Sequence, residues 1–317
     1  MALYLLGARA GDNVGMRVRV SKMHGAGNDF IVLDETRGSL GLSAAQRRWL
    51  ADRHVGIGAD QLLTVRAPSA PEADFDYIIH NADGQEVEQC GNGARCFVRY
   101  VRGKGLTHQR VVRARVRHTT LVLEELADGL VQVDMGAPLF EPQRVPFDAL
   151  GLNPEPTGGW LRWRLDGEPP RPCGPWAILS MGNPHAVQWV DDVQHAPVAA
   201  IGRWVQAHRR FGQGVNVGCM QRVAAQHIAL RVYERGVGET LSCGTGACAA
   251  AVAGIRWGQL QSPVQVDTRG GRLQIAWDGG QSPVRMAGPA AFVFDADIDI
   301  PDEAHLPLAF RAPASPP

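Results

Sequence analysis

The sequence predicts an α/β (α+β) protein built as two pseudo-symmetric halves, and three observations carry that expectation. The chain has 317 residues, which at roughly 150 residues per domain leaves room for two cores. Short runs of alternating apolar residues, punctuated by turn residues, dominate it and are interrupted by two helical stretches. An internal repeat relates those two stretches to each other.

Residues 1–15 carry no clear period and lack the basic region and apolar run of a secretory signal, so they read as a non-native or disordered extension. Alternation starts at Met16, and Arg17 to Val20, Phe30 to Leu33, Leu62 to Val65 and Phe75 to Ile79 read as strands. After Cys90-Gly91-Asn92-Gly93, the apolar residues Ala94, Phe97, Val98 and Val101 fall at i, i+3, i+4 and i+7. That is one helical stripe, and Gly103 can stop it. Strands resume at Val111 to Val116, Thr119 to Leu123 and Leu130 to Asp134. A boundary near Gly136 to Pro146 divides a first half, 16–138, from a second, 139–288. Within the second, Pro154 to Pro175 is rich in Pro, Gly and Trp and reads as a surface excursion. After Cys243-Gly244-Thr245-Gly246, the run Ala247 to Ala253 is small and apolar on every side, as a helix wrapped by protein would be. A strand at about 289–300 is expected to return to the first half. The tail, Pro301 to Pro317, holds five prolines and is expected to fray or run over the surface.

The repeat is the most informative feature. Asn81 precedes Cys90 by nine positions and Glu234 precedes Cys243 by nine, while Glu86 and Glu239 each lie four before their cysteine. Gly91, Gly93 and Ala94 match Gly244, Gly246 and Ala247. Upstream, Gly56-Ile57-Gly58 followed by Gln61 parallels Gly212-Gln213-Gly214 followed by Asn216.

Composition excludes several classes. Lys+Arg at 32 cancels Asp+Glu at 32, so no global basic field exists to hold nucleic acid. Six cysteines are too sparse for a disulfide scaffold, which leaves free thiols in a reducing compartment. No stretch approaches the about 18 apolar residues of a membrane helix, so a soluble cytoplasmic protein is expected. Metal binding is not expected either: Cys90 and Cys96 are six apart, Cys243 and Cys248 five apart, and no His lies in either turn.

A cysteine at the mouth of a helix meets unpaired N–H groups and a dipole that favour negative charge, so its thiol pKa should fall from about 8.5 towards neutrality. The neighbouring glycines let a ligand approach those N–H groups, so each Cys-Gly-x-Gly turn doubles as a carboxylate cradle. Two such turns on pseudo-symmetric halves suggest two acid/base thiols facing one ligand. Inverting a stereocentre without a cofactor needs that arrangement, one group removing a proton from one face while the other delivers a proton to the opposite face. By contrast Cys96, Cys173, Cys219 and Cys248 read as small core hydrophobes.

Four longer motifs bring a family into view: Lys22-Met23-His24-Gly25-Ala26-Gly27-Asn28-Asp29-Phe30; Asn81-Ala82-Asp83-Gly84 through Cys90-Gly91-Asn92-Gly93-Ala94-Arg95-Cys96; Met181-Gly182-Asn183-Pro184-His185; and Tyr233-Glu234-Arg235-Gly236 through Cys243-Gly244-Thr245-Gly246-Ala247-Cys248. From about Met16 to Ala290 the chain resembles the diaminopimelate epimerases. The resemblance implies two α/β halves, each a curled mixed sheet around a central helix, with the site in the inter-domain cleft. It implies a pyridoxal-phosphate-independent exchange of LL- and meso-2,6-diaminopimelate, in lysine and peptidoglycan synthesis, by a homodimer. Carried over by motif, Cys90 and Cys243 are the acid/base thiols. His185 and Glu234 lie beside them, tuning protonation or holding the amine. The backbone N–H groups of Gly91, Asn92, Gly244 and Thr245 hold the reacting carboxylate. Arg235, with Asn81, Asn183 and Asn216, meets the distal carboxylate, and Asn28 and Gln61 are further polar contacts to amine or carboxylate.

Alternatives remain on the same residues. A proline or hydroxyproline racemase would share paired cysteines, and a phenazine-pathway-like isomerase would not need them. Arg235 and the asparagines favour a substrate with a second amino-acid head. A redox-responsive binding protein would instead join Cys90 to Cys243 reversibly.

Overall fold

The computed structural model describes residues 15–87, 91–117, 119–170 and 173–311. The first ten elements are β1 (Gly15–Gly25), β2 (Asn28–Glu35), α1 (Ala44–Ala51), β3 (Gln61–Arg66), β4 (Phe75–Asn81), β5 (Glu86–Val87), α2 (Gly91–Gly103), β6 (Val111–Val116), β7 (Thr119–Glu125) and β8 (Val131–Asp134). A small hairpin, β9 (Glu155–Thr157) and β10 (Trp160–Arg162), follows. The same series then recurs as β11 (Ala177–Ser180), β12 (Pro184–Trp189), α3 (Val198–Gln206), β13 (Asn216–Ala224), β14 (His227–Glu234), β15 (Gly238–Glu239), α4 (Gly244–Arg256), β16 (Val264–Thr268), β17 (Gly271–Ala276) and β18 (Arg285–Gly288).

The pairings repeat along with the order. β1 runs antiparallel to β2 as β11 does to β12; β2 is parallel to β3 as β12 is to β13; β4 is parallel to β6 as β14 is to β16. Each parallel step encloses a helix, as a crossover requires. A last strand, β19 (Ala291–Pro301), returns beside β1. At the opposite margin β8 pairs with β18, Asp134 opposite Arg285, so hydrogen bonds run without a break from one half into the other.

Each half curls around its middle helix. α2 packs against β1, β2, β3, β7 and β8, and α4 against strands β11 to β14, β16 and β17. The sequence explains why each helix tolerates enclosure. In α2, residues Asn92 to Val98 and Tyr100 to Val101 are buried. In α4, Gly246 to Gly254 are buried without interruption, and alanines on every side let strands close on it from all directions. α1 and α3 cover the outer faces. Ser43 and Gln46 form a reciprocal capping box that starts α1, satisfying two backbone donors.

One expectation is corrected. The segment 154–175 is not confined to the surface: Trp160 and Trp163 are buried, Trp160 lying 6.0 Å from Trp257 and 5.2 Å from Phe140 between ring centres. Large aromatic area outweighs the local density of Pro and Gly. The tail runs over the surface, with residues 303–305 and 307–309 exposed, and is pinned at points along it. Leu306 is fully buried, Gln46 Nε2 donates to Pro301 O and Arg48 Nη2 to Phe310 O, both at 2.9 Å. Residues 1–14 and 312–317 lie outside the described residues. Among those described, no helix is long and apolar enough to cross a membrane.

Candidate active site

A cleft of about 1500 Å³ lies where the two halves face each other. Asn28, Gln61, Asn81, Gly91 and Asn92 line it from the first half. Asn183, Glu234, Cys243, Gly244 and Thr245 line it from the second. Strand ends account for much of this convergence. Gln61 opens β3 directly opposite Asn81, which closes β4, and Gln61 Nε2 donates to Asn81 Oδ1 at 2.9 Å. In the repeat, Asn216 opens β13 opposite His185, and Glu234 closes β14.

The two inner helices begin at this floor. A Cβ on Gly91 would lie 2.8 Å from the Met286 methyl, and one on Gly244 would lie 3.3 Å from the same methyl and 3.8 Å from Asn92 Oδ1. Both helix starts therefore converge on one side chain. Their first-turn N–H groups and dipoles meet in a single region suited to an anion.

Cys243 is the N-cap of α4, and its Sγ lies 3.6 Å from Thr245 Oγ1. Cys90, which precedes α2 in the sequence, lies outside the described residues. For Cys243 the expectation of a near-neutral thiol is corrected. Burial, and then the charge of Glu234 beside it, push the thiol well above its ordinary value, although Thr245 and the Gly246 N–H pull the other way. The helix start loses to desolvation and a neighbouring carboxylate. Glu234 is itself held by Thr240, whose hydroxyl donates to Glu234 Oε1 at 2.5 Å.

Three residues named from the sequence do not line the cleft. His185 is fully buried, and burial followed by the Arg235 charge push its imidazole down to about 3. The ring is therefore neutral at pH 7. Its Nε2 meets Asn183 Oδ1 at 2.9 Å, an oxygen that can only accept, so Nε2 carries the proton. That leaves Nδ1 as a buried acceptor with no partner among the described residues. Asn216 braces two strands, donating from Nδ2 to Pro184 O and accepting the Arg235 N–H at Oδ1. Arg235 is exposed, and its Nη1 donates to Gln213 O at 2.9 Å.

The cleft also holds groups that sequence reasoning missed. Asp29 receives Lys22 Nζ at 2.6 Å and two bonds from Arg53, which also reaches Asp60 at 2.7 Å. Burial opposes its ionisation most strongly, yet Arg53 and Lys22 hold the Asp29 carboxyl well below the usual range. This cluster fixes the residues next to Asn28 and Gln61. Lys22 and Asp29 sat inside a quoted motif, whereas Arg53 and Asp60 carry no local signal. Among the described residues, no three His, Cys, Asp or Glu side chains are grouped so as to hold a metal ion.

The diaminopimelate epimerase family model matches residues 20–141 and 177–293. The diaminopimelate epimerase of Variovorax paradoxus (strain S110) is 59% identical over 292 residues, covering 90% of this chain and 99% of that protein. The chain belongs to the diaminopimelate epimerase family. The diaminopimelate epimerase of Acidovorax ebreus (strain TPSY) is likewise 59% identical over 290 residues, with 90% of this chain and 99% of that protein covered. The two blocks of the family match leave out 142–176, the segment that contains the tryptophan hairpin. In fold, the chain is similar to the crystal structure of a probable proline racemase from Agrobacterium radiobacter K84 with bound carbonate. The TM-score is 0.62 at 15% identity, over 93% of this chain and 96% of that one.

Proposed function

We infer that this chain is a diaminopimelate epimerase that interconverts the LL and meso isomers, with Cys90 and Cys243 as its paired base and acid. The observation that carries the reading is the convergence of the α2 and α4 starts on Met286, each start immediately preceded by one of these cysteines. A substrate α-carboxylate seated on the N–H groups of Gly91, Asn92, Gly244 and Thr245 would bring its α-carbon to the two helix starts that the cysteines precede in the sequence.

The chemistry then follows. The Cys90 thiolate removes the α-proton from one face, and the charge that develops towards the carboxylate is stabilised by the two helix starts. The Cys243 thiol delivers its proton to the opposite face of the same carbon. One thiolate and one thiol are present before and after, with their identities exchanged. Burial and the Glu234 charge favour the protonated form of Cys243, so it enters the turnover as the acid. The neutral, buried His185 acts through its Nε2 contact with Asn183, holding that cleft-lining amide in place for the substrate. Arg235 is assigned to the distal carboxylate with Asn81, Asn183 and Asn216. It must release Gln213 O, a single bond from a charged donor worth about 1.5–3 kcal/mol, in exchange for a two-pronged pair with a carboxylate. Asn28 and Gln61 complete the polar wall. Closure of 16–138, with β19, against 139–288 would expel water and strengthen these contacts.

Lysine and peptidoglycan synthesis is the setting this reaction serves, and we read the protein as a cytoplasmic homodimer that needs neither pyridoxal phosphate nor metal. The test is incubation of the reduced enzyme in deuterated water with LL-diaminopimelate, proline or hydroxyproline in turn. Deuterium is expected at the α-carbon of diaminopimelate alone. Labelling of proline in preference to diaminopimelate would refute the substrate assignment, and full turnover by Cys90→Ala would refute the two-thiol assignment.

A further inference from the structure

Arg95 is a fully buried cation that the mechanism above leaves without a task. It lies one turn into α2, and its guanidinium occupies the junction of the two halves. Nη2 donates to Asn92 Oδ1 at 2.9 Å, Nε to Pro289 O at 3.3 Å, and Nη1 points at Met286 Sδ at 3.7 Å. These partners belong respectively to the first turn of α2, the link into β19, and the side chain on which both helix starts converge. Two glycines make room for it: a Cβ on Gly25 would lie 3.3 Å from Nη2, and one on Gly288 would lie 3.0 Å from Nε.

A permanent charge is costly to bury unless it is paired or hydrogen-bonded. The field of Arg95 reaches α4 as well as α2. Burial pushes the Cys248 thiol up to about 12, and Arg95 is the charge that pulls it the other way. A helix start contributes the equivalent of about half a charge. A guanidinium carries a whole one, and at an effective dielectric of about 20 rather than 80 a charge acts roughly fourfold more strongly than an exposed one at the same distance.

We propose that Arg95 is an electrostatic positioning residue, which fixes Asn92 and Met286 beneath the two helix starts and gives the cleft floor the positive potential that holds a carboxylate. This rests on the two-thiol reading, since it is at those thiols that the carboxylate is presented. Arg95 does not touch the substrate. It acts through the backbone of Gly91 and Asn92, which line the cleft.

The experiment uses the full-length reduced protein and two alkylating probes of similar size, anionic iodoacetate and neutral iodoacetamide. Labelling of Cys90 and Cys243 is mapped by mass spectrometry, and the ratio of the two rates is compared with that of glutathione. A ratio dividing an anionic by a neutral reagent cancels differences in thiol ionisation and access, which a merely structural role would change. In the wild type it should exceed the glutathione ratio by about tenfold, the size expected of a buried unit charge. Arg95→Met, similar in length but neutral, should lose most of that preference, and Arg95→Lys should keep it within about threefold. If Arg95→Met does not fold, Arg95→Gln serves as the neutral variant. A wild-type ratio equal to that of glutathione, or an unchanged ratio in either folded neutral variant, overturns the proposal. Labelling by neither reagent at either thiol would overturn the two-thiol reading, and this inference with it.

Discussion

A helix start favours a thiolate, yet the protein sets Cys243 in a place where desolvation and Glu234 favour the thiol. Cys219 and Cys248 lie deeper and are raised by burial to about 11 and about 12, from an ordinary value near 9. A raised folded-state pKa means that the folded chain keeps a proton which the unfolded chain releases. Stability from these thiols is therefore complete below pH 9 and is lost as pH climbs from there towards 11 or 12. Each contributes a slope of about 1.4 kcal/mol per pH unit within that window. Urea unfolding between pH 8 and pH 10.5 should show the decline, and in Cys248→Ala the slope should be shallower by one such increment; parallel curves would contradict the assignment. The candidate cysteines were legible at this scale because glycine context and repeat position set Cys90 and Cys243 apart from the other four. The ionisation of Cys243 was not, because it depends on enclosure and on Glu234, which is nine positions away in the chain.

Among the elements, the helices announced themselves. Four apolar positions at helical spacing marked α2, and an unbroken run of small residues marked an enclosed α4. The contacts between elements were silent. The β1–β2 turn, with Ala26 and Gly27 at positive φ, seats against the β16–β17 turn of the other half, where Gly270 N donates to Leu241 O two residues before Cys243. A Cβ on Gly270 would lie 2.0 Å from Ala26 O, and backbone on both sides leaves little room to give. Gly270→Ala should therefore destabilise the protein by about 1–3 kcal/mol. It should also raise KM, since this turn carries Asn28. Gly212→Ala, which meets nothing within 4 Å, should stay within about 0.5 kcal/mol of the wild type. Chemical denaturation and steady-state kinetics on the pair check both. The anchors of the tryptophan hairpin and of the tail were silent for a related reason. Proline and glycine dominated their local pattern, while the anchors, Trp160, Trp163 and Leu306, are isolated positions without a period.

Over the whole molecule, the duplication was readable because both copies keep their glycines and cysteines in step. Its physical use is to bring two equivalent helix starts to one floor, so that a single carbon can be approached from opposite directions. The β8–β18 seam that holds the copies together left no trace in the sequence, since backbone pairing between residues as far apart as Asp134 and Arg285 imposes no local spacing. The two-thiol account is tested most directly by following LL-diaminopimelate at low conversion in deuterated water and reading the label in both isomers separately. With distinct groups on the two faces, deuterium should appear at the inverted α-carbon of the meso product while the recovered LL substrate stays unlabelled. Equal labelling of recovered substrate and product would mean that one group serves both faces, and would contradict the account.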